Sequence, residues 1–194
     1  SGTSDPKQAK VVSELVRTTD RATRIVNDLL ELTRSSFGTD IPIVKSQTDL
    51  AALCQAIADE LRSVNESHLV TVEEEGDPTG LWDGARIGQV LSNLIGNAIQ
   101  YSDALKPVTV TISGNHPDKV SVNVHNFGPP IPAEDQKTIF QSWMRGQVKD
   151  PDERTHLGLG LYIARLFIEA HGGEITVTSD VKTGTTFTFQ LPRG

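Results

Sequence analysis

The segment from Gly84 to Tyr101 constrains the fold of this 194-residue chain more than any other part of its sequence. Apolar residues recur there at spacings of three and four, which predicts a helix with one buried face. That face holds Ile87, Val90, Leu91, Leu94, Ile95 and Ala98. The adjoining stripe of the helix carries Gln89, Asn93, Asn97 and Gln100. The chain must therefore provide an apolar layer beneath this helix and a polar region beside it.

The remainder of the chain after about residue 39 mixes strands with helices. Alternating or β-branched runs predict five strands, at residues 68–74, 108–113, 119–125, 174–179 and 185–191. Helical spacing predicts two further helices, at residues 49–64 and 160–170. We therefore expect an α+β two-layer sandwich in which one sheet is covered on one face by helices.

Residues 5–36 form a separate pattern, with apolar positions on one helical face and Gly38 as the stop signal. A helix of this length cannot bury its own apolar stripe, so it requires a partner. That partner is either a second helix, including one from another chain, or the domain that follows it. The predicted boundary divides the sequence into residues 1–38 and residues 39–194.

Composition excludes several functional classes. The chain has 18 Lys and Arg residues against 25 Asp and Glu residues, a formal net charge of -7, and no basic block. This argues against nucleic acid or an anionic membrane surface as the main partner. The single cysteine, Cys54, excludes an internal disulfide and a thiolate zinc site. No apolar run long enough for a membrane span is present, so a cytoplasmic protein is expected.

Four polar or glycine-containing elements follow one another along the chain. On the helix, Asn93 and Asn97 lie one turn apart, so both amides can point into one cleft, and an amide oxygen is a suitable ligand for Mg²⁺. Taken alone, these residues could equally be two solvated asparagines on an exposed face. The other three elements are residues 126–128, residues 156–161 and residues 184–186. Glycines in such turns let the backbone approach phosphate groups, and a helix start favours an anion.

In this order and spacing, the elements resemble the ATP-binding catalytic domain of sensor histidine kinases, in the superfamily that includes gyrase, Hsp90 and MutL. Residues 93–101 resemble its asparagine box, and Asn126 with Gly128 its first glycine box. Gly158 and Gly160 resemble the second glycine box, and Gly184 with Thr186 the last one. Phe140, Trp143 and Arg145 resemble the phenylalanine box. Residues 1–38 are similar to the second helix of the family's dimerisation and phosphotransfer hairpin.

The resemblance implies the Bergerat ATP-binding fold, a mixed sheet under three helices, with ATP between the asparagine helix and a mobile lid at residues 146–157. It implies that Asn97 holds Mg²⁺, that Asn93 supports the metal, and that Arg145 meets the phosphate charge. The residues expected to contact the nucleotide are Asn97, Gln100, Tyr101, Asn126, Gly128, Ile131, His156, Leu157, Gly158, Leu159, Gly160, Leu161 and Thr186. The expected partners are a response regulator receiver domain, a histidine phosphotransfer helix and, in the full-length protein, a second copy.

Three positions depart from the family pattern. Asn126 stands where the family usually has an aspartate that accepts a hydrogen bond from the adenine amine. Pro130 replaces a glycine and stiffens the turn. Gln100 stands where a phosphate-contacting lysine is common. Losing one charge-assisted hydrogen bond and one cation predicts weakened nucleotide affinity.

The sequence favours transfer of the γ-phosphoryl group of ATP to a histidine over the alternatives. The hydrolytic relatives carry a glutamate base four residues before the magnesium asparagine, and Asn93 occupies that position here. A non-catalytic nucleotide sensor or an anti-sigma-type serine kinase stays open. None of the five histidines lies between Ser1 and Ser67, so the acceptor histidine is expected outside this chain.

Overall fold

The computed structural model describes Thr19 and residues 41–64, 69–141 and 159–194. Contacts divide the chain between residues 40 and 41, and every described residue except Thr19 belongs to the unit from Ile41 to Gly194. The helix predicted at residues 5–36 lies outside the described residues, apart from Thr19.

Seven strands and four helices make up the described part of this unit. The strands are β1 (Ser46–Asp49), β2 (Val70–Gly76), β3 (Thr79–Trp82), β4 (Val108–Gly114), β5 (Lys119–Asn126), β6 (Glu174–Asp180) and β7 (Gly184–Pro192). The helices are α1 (Leu50–Val64), α2 (Gly84–Tyr101), α3 (Ala133–Gln136) and α4 (Gly160–Ala170).

Five strands form one mixed sheet in the order β2-β4-β5-β7-β6. Strands β2 and β4 are parallel, and the other neighbours are antiparallel. Strands β1 and β3 form a separate antiparallel pair. The predicted five strands are therefore confirmed as one sheet. The β1–β3 pair and the short helix α3 were not predicted from the sequence.

Three helices cover one face of this sheet and bury the core. Across the sheet, α1 contacts β2 and β4, α2 contacts β4 and β5, and α4 contacts β6 and β7. The strands turn alternate apolar residues toward the helices, including Val108, Val110, Ile112, Val120, Val122, Val124, Phe187, Phe189 and Leu191. The opposite face is polar, and there the Thr188 hydroxyl donates to Asn123 Oδ1 at 2.8 Å. The predicted two-layer sandwich is confirmed.

Helix α2 begins at an aspartate that has two functions. The Asp83 carboxylate accepts hydrogen bonds from the backbone N–H groups of Ala85 and Arg86, both at 3.1 Å, which caps the helix. It also accepts from the Val44 N–H at 3.0 Å. Burial opposes ionisation of this carboxyl, but these N–H groups and the charge of Arg86 outweigh it and hold its pKa below the ordinary value.

A buried histidine joins the start of α2 to the end of α4. The Asp83 backbone N–H donates to His171 Nε2 at 3.0 Å, so this nitrogen carries no proton. His171 Nδ1 therefore carries the hydrogen and donates to the Phe167 carbonyl at 2.6 Å. The His171 ring thus bridges the two helices through both of its nitrogens.

The Asp83 cap gives a stability prediction. Asp83→Ala is expected to lower the free energy of unfolding by about 1–2 kcal/mol at neutral pH, because α2 loses its cap. Asp83→Asn keeps an acceptor oxygen and is the matched control, so its loss should be smaller. Urea unfolding monitored by circular dichroism measures both changes.

The same residue sets a pH dependence. Because the pKa of Asp83 is lowered in the folded state, the stability it contributes is complete above its ordinary value of 3.8 and is lost as pH falls below it. The stability difference between the unsubstituted chain and Asp83→Asn should therefore shrink on acidification toward about pH 3. A difference that is constant from neutral pH to that point would contradict the role assigned to the charge.

Candidate functional site

The polar stripe of α2 presents its two asparagines differently. Asn93 is buried, and its Nδ2 donates to the Gly160 carbonyl at the start of α4, at 3.0 Å. A Cβ at Gly160 would lie 3.3 Å from Asn93 Cγ, so the approach is close. Asn97 is half-buried, and its amide has no hydrogen-bond partner among the residues that the structure describes. Asn93 is therefore partly committed to packing α4 against α2, whereas Asn97 keeps its whole amide for a ligand.

Asn126, the last residue of β5, is the buried polar group that most strongly indicates a ligand. Only 3% of its surface is exposed, and it points to the helix-covered face with Val124 and Val122. Within the described part of the chain, nothing forms a hydrogen bond with its side-chain amide. Among the described buried side-chain nitrogen and oxygen atoms, only Arg165 Nε is fully enclosed without a hydrogen-bond partner, so the Asn126 amide keeps access to water or a ligand. Because polar side chains at nearly buried positions are normally hydrogen-bonded, a ligand or water that pairs with this amide is favoured at the end of β5.

Two glycines let the backbone close in around Asn126. A Cβ at Gly128 would lie 1.9 Å from the Tyr101 carbonyl oxygen, so no side chain fits where this loop meets the end of α2. Gly184 has φ of +79°, and a Cβ there would lie 2.4 Å from the Asn126 carbonyl oxygen. Glycine is therefore required at both positions, because the neighbouring backbone leaves no room for a side chain. They bring the ends of α2, β5 and β7 together around one amide.

The sheet register places the side chain of one predicted contact residue, Thr186, on the opposite face from Asn126. Thr186 pairs with His125, and its hydroxyl lies 3.0 Å from His125 Nδ1 on the polar face of the sheet. Its neighbour Thr185 pairs with Asn126 and is buried on the helix-covered face. Side chains alternate between the two faces of a strand, so Thr185, and not Thr186, shares a face with Asn126.

Thr185 begins a chain of hydrogen bonds that fixes Ile131. Its hydroxyl lies 2.7 Å from Ser179 Oγ, and Ser179 Oγ accepts from the Ile131 N–H at 2.9 Å. Gln136 Nε2 donates to the carbonyls of Ile131, at 2.7 Å, and of Ser179, at 2.9 Å. These bonds fix the half-buried Ile131, which the sequence pattern predicts as a nucleotide contact. Ser179, Gln136 and Thr185 were not predicted from the sequence.

The remaining predicted contacts fall into three groups. Arg145, His156, Leu157 and Gly158 lie outside the described residues, as does Trp143. Leu159 is buried in the core, so its side chain packs and does not face a ligand, and Leu161 is half-buried. Gln100 and Tyr101 are exposed near the end of α2. Phe140 makes an edge-on contact with Phe187 at 6.1 Å between ring centroids, which fixes the turn after α3 on the sheet.

Three other features of the described residues were compared with the site around Asn126: the Cys54 thiol, a surface depression and the hydropathy of the helices. Burial raises the pKa of the Cys54 thiol to about 12, with a further contribution from Asp49, so Cys54 stays protonated and is not a nucleophile. A shallow depression between α1 and β2 includes Asp49, Gln55 and Glu74 but none of the residues around Asn126. Within the described ranges, no helix combines the length and the hydropathy needed to cross a bilayer.

Comparisons with known proteins agree with this geometry. Residues 82–194 match the model of the family described as "Histidine kinase-, DNA gyrase B-, and HSP90-like ATPase". The chain is 35% identical over 172 residues to the adaptive-response sensory kinase SasA of Rippkaea orientalis, covering 87% of this chain and 43% of SasA. It is 32% identical to the probable sensor histidine kinase TcrY of Mycobacterium tuberculosis, covering 97% of this chain and 39% of TcrY. The chain thus spans less than half the length of these relatives.

Solved structures give the same result. The catalytic domain of the histidine kinase ThkA superposes with a TM-score of 0.66 at 28% identity, covering 77% of this chain and 98% of that domain. Full-length ShkA in complex with AMPPNP gives 0.76 at 26% identity, covering 98% and 40%. ThkA in complex with the response regulator TrrA gives 0.71 at 26% identity, covering 99% and 53%. This chain therefore belongs to the histidine kinase-, DNA gyrase B- and HSP90-like ATPase family, as a catalytic domain of the sensor histidine kinase type.

Proposed function

We propose that this chain binds Mg²⁺ and ATP in the cleft between α2, the end of β5 and the start of α4, and transfers the γ-phosphoryl group to a histidine outside this sequence. The observation that carries the proposal is the buried, unpartnered amide of Asn126 beside two glycines that admit no side chain. Family membership supports ATP as the nucleotide.

The donor set of α2 fits a magnesium ion that is shared with phosphate oxygens. Mg²⁺ takes oxygen ligands and keeps several waters, so one protein ligand is sufficient when phosphates provide others. Asn97 would hold the ion, because its amide oxygen is not engaged by any described residue. Bound Mg²⁺ would neutralise phosphate charge, while Asn93 positions the start of α4 through the Gly160 carbonyl. Arg145 is proposed to meet the phosphates.

The assignment of partners also belongs to this proposal. We assign residues 1–38 to the second helix of a dimerisation and phosphotransfer hairpin and residues 39–194 to the catalytic domain. The structural similarity to ThkA in complex with the response regulator TrrA supports a receiver domain as a partner. A phosphotransfer helix as the acceptor, a homodimeric full-length protein and a cytoplasmic location complete the proposal.

Two alternative functions are distinguished from phosphotransfer to histidine by the residues at one or two positions. A hydrolytic ATPase needs a base near the attacking water, and the amide of Asn93 is neutral and already donates to Gly160. Hydrolysis is therefore disfavoured. A nucleotide sensor or an anti-sigma-type serine kinase stays open as the second candidate, because the neutral Asn126 and Gln100 bring no charge to the nucleotide.

The two asparagines of α2 provide the first test. Asn97→Ala should leave the melting temperature without nucleotide unchanged, since its side chain has no described partner, but should abolish the Mg²⁺-dependent increase with AMPPNP. For a functional site, that increase corresponds to about 2.7 kcal/mol when AMPPNP is present at 100 times its Kd. Asn93→Ala should instead lower stability without nucleotide by about 1 kcal/mol, because Gly160 loses a donor.

Asn123→Ala is the control for this experiment, because it makes the same substitution on the polar face of the sheet, away from α2. Its Mg²⁺-dependent increase in melting temperature should persist. Retention of the full increase in Asn97→Ala would refute the magnesium role of that residue.

Phosphotransfer itself is tested with γ-labelled ATP. This chain alone should neither become labelled nor hydrolyse ATP rapidly, since no histidine precedes His68 and no base stands at position 93. A longer natural protein that includes this sequence should acquire label that is stable in base and labile in acid, as expected for phosphohistidine. Acid-stable label would favour the serine kinase, and rapid hydrolysis would favour the ATPase.

A further inference from the structure

The side chain of Asn126 is fixed in position but not in orientation. Its backbone pairs with Thr185, and Gly184 lies against its carbonyl oxygen. Among the described residues, no donor or acceptor selects which end of the amide faces the pocket. The terminal torsion of an asparagine is broad and roughly two-fold, so the amide can rotate by half a turn without moving the backbone.

This freedom matters because an amide and a carboxylate offer different hydrogen bonds. A carboxylate has only acceptors, whereas an amide has a donor and an acceptor side by side. The 6-amino group and N1 of adenine present a donor beside an acceptor. The 6-oxo group and N1–H of hypoxanthine or guanine present the reverse order. An amide satisfies either edge by rotating. At the 6-position, a carboxylate can accept from the 6-amino group of adenine, but it meets the 6-oxo oxygen of hypoxanthine or guanine with a second acceptor.

We propose that Asn126 makes this nucleotide site accept 6-oxo purine nucleotides, such as inosine and guanosine phosphates, nearly as well as adenosine phosphates. The inference rests on the proposed function, since it requires a purine base at Asn126. It adds a substrate class to that function, and it assigns the relaxed selectivity to one residue. A site selects between two bases when one of them leaves a buried polar group without a hydrogen bond. An amide that can rotate pairs with either base, so it does not select between them.

The first experiment uses the unsubstituted chain. Affinities for ADP, IDP and GDP with Mg²⁺ are measured by isothermal titration, together with purine riboside diphosphate, which lacks a 6-substituent. The Kd values for ADP and IDP should agree within about threefold, and purine riboside diphosphate should bind about tenfold more weakly. IDP is the decisive probe, because it differs from ADP at the 6-position and N1 only. GDP also carries a 2-amino group, so its affinity depends in addition on the space in the pocket.

The second experiment changes the amide to a carboxylate. Asn126→Asp should raise the ratio of the Kd for IDP to the Kd for ADP by about tenfold or more. Effects of the new charge on the phosphates are common to both nucleotides and cancel in this ratio. Asn123→Asp makes the same chemical change on the polar face, where Thr188 can still donate to it, and should leave the ratio unchanged.

The outcomes separate the inference from the function beneath it. If ADP binds but IDP binds at least tenfold more weakly to the unsubstituted chain, the inference is overturned and the nucleotide site stands. The same follows if Asn126→Asp leaves the ratio unchanged, or if purine riboside diphosphate binds as tightly as ADP and IDP. If no nucleotide binds, the proposed function fails and the inference fails with it. Should Asn126→Asp not fold, the nucleotide series on the unsubstituted chain decides alone.

Discussion

The antiparallel packing of α4 against α2 determines the geometry of the candidate site. At one end, His171 accepts a hydrogen bond from the Asp83 N–H, and at the other, Asn93 donates to the Gly160 carbonyl. Ten residues separate Asp83 from Asn93, which is about 15 Å along a helix at 1.5 Å per residue. The segment from Gly160 to His171 has nearly the same length, so both bonds can form at once. The start of α4 is thereby held beside the polar stripe of α2.

Periodicity was sufficient to predict most of this fold, because the elements are long and their burial is one-sided. The apolar arc of α2 and the alternation in β4, β5 and β7 define which face of each element is buried. Strand β3 was missed because it has four residues, and its extended form depends on pairing with β1. The role of His171 was missed for a related reason, since its partner Asp83 is 88 residues away in the sequence.

The candidate site was predictable where residue type and helical spacing determine the chemistry. Asn93 and Asn97 had to share a side of α2, and Asn126 had to end a strand. The face of each threonine of β7 was also predictable, because Phe187 and Phe189 fix the phase of the strand and place Thr185 with them on the inner face. By contrast, the chain from Thr185 through Ser179 to Ile131 was not predictable, because it depends on how two strands and a loop meet in space.

The turn after β5 accommodates its proline for a structural reason. Pro130 is exposed and lacks a backbone N–H, but the hydrogen bond that anchors this turn comes from the next residue, Ile131. The close approach to α2 is made by Gly128, where no side chain fits. The proline at position 130 therefore leaves both contacts in place. The departure that changes chemistry is Asn126, a neutral amide where the resemblance implies an aspartate.

Neutral groups dominate the described part of the site, and this determines how its chemistry responds to conditions. Asn93, Asn97, Asn126 and Thr185 do not titrate in the range where the fold is stable, so their hydrogen-bonding capacity is independent of pH. These residues therefore contribute no direct pH dependence to ligand binding. A neutral site also leaves the phosphate charge to be balanced by Mg²⁺, by backbone N–H groups at a helix start and by cationic side chains outside the described residues. In the proposed site, the described residues would therefore position the nucleotide, and neutralisation of its charge would fall to other groups.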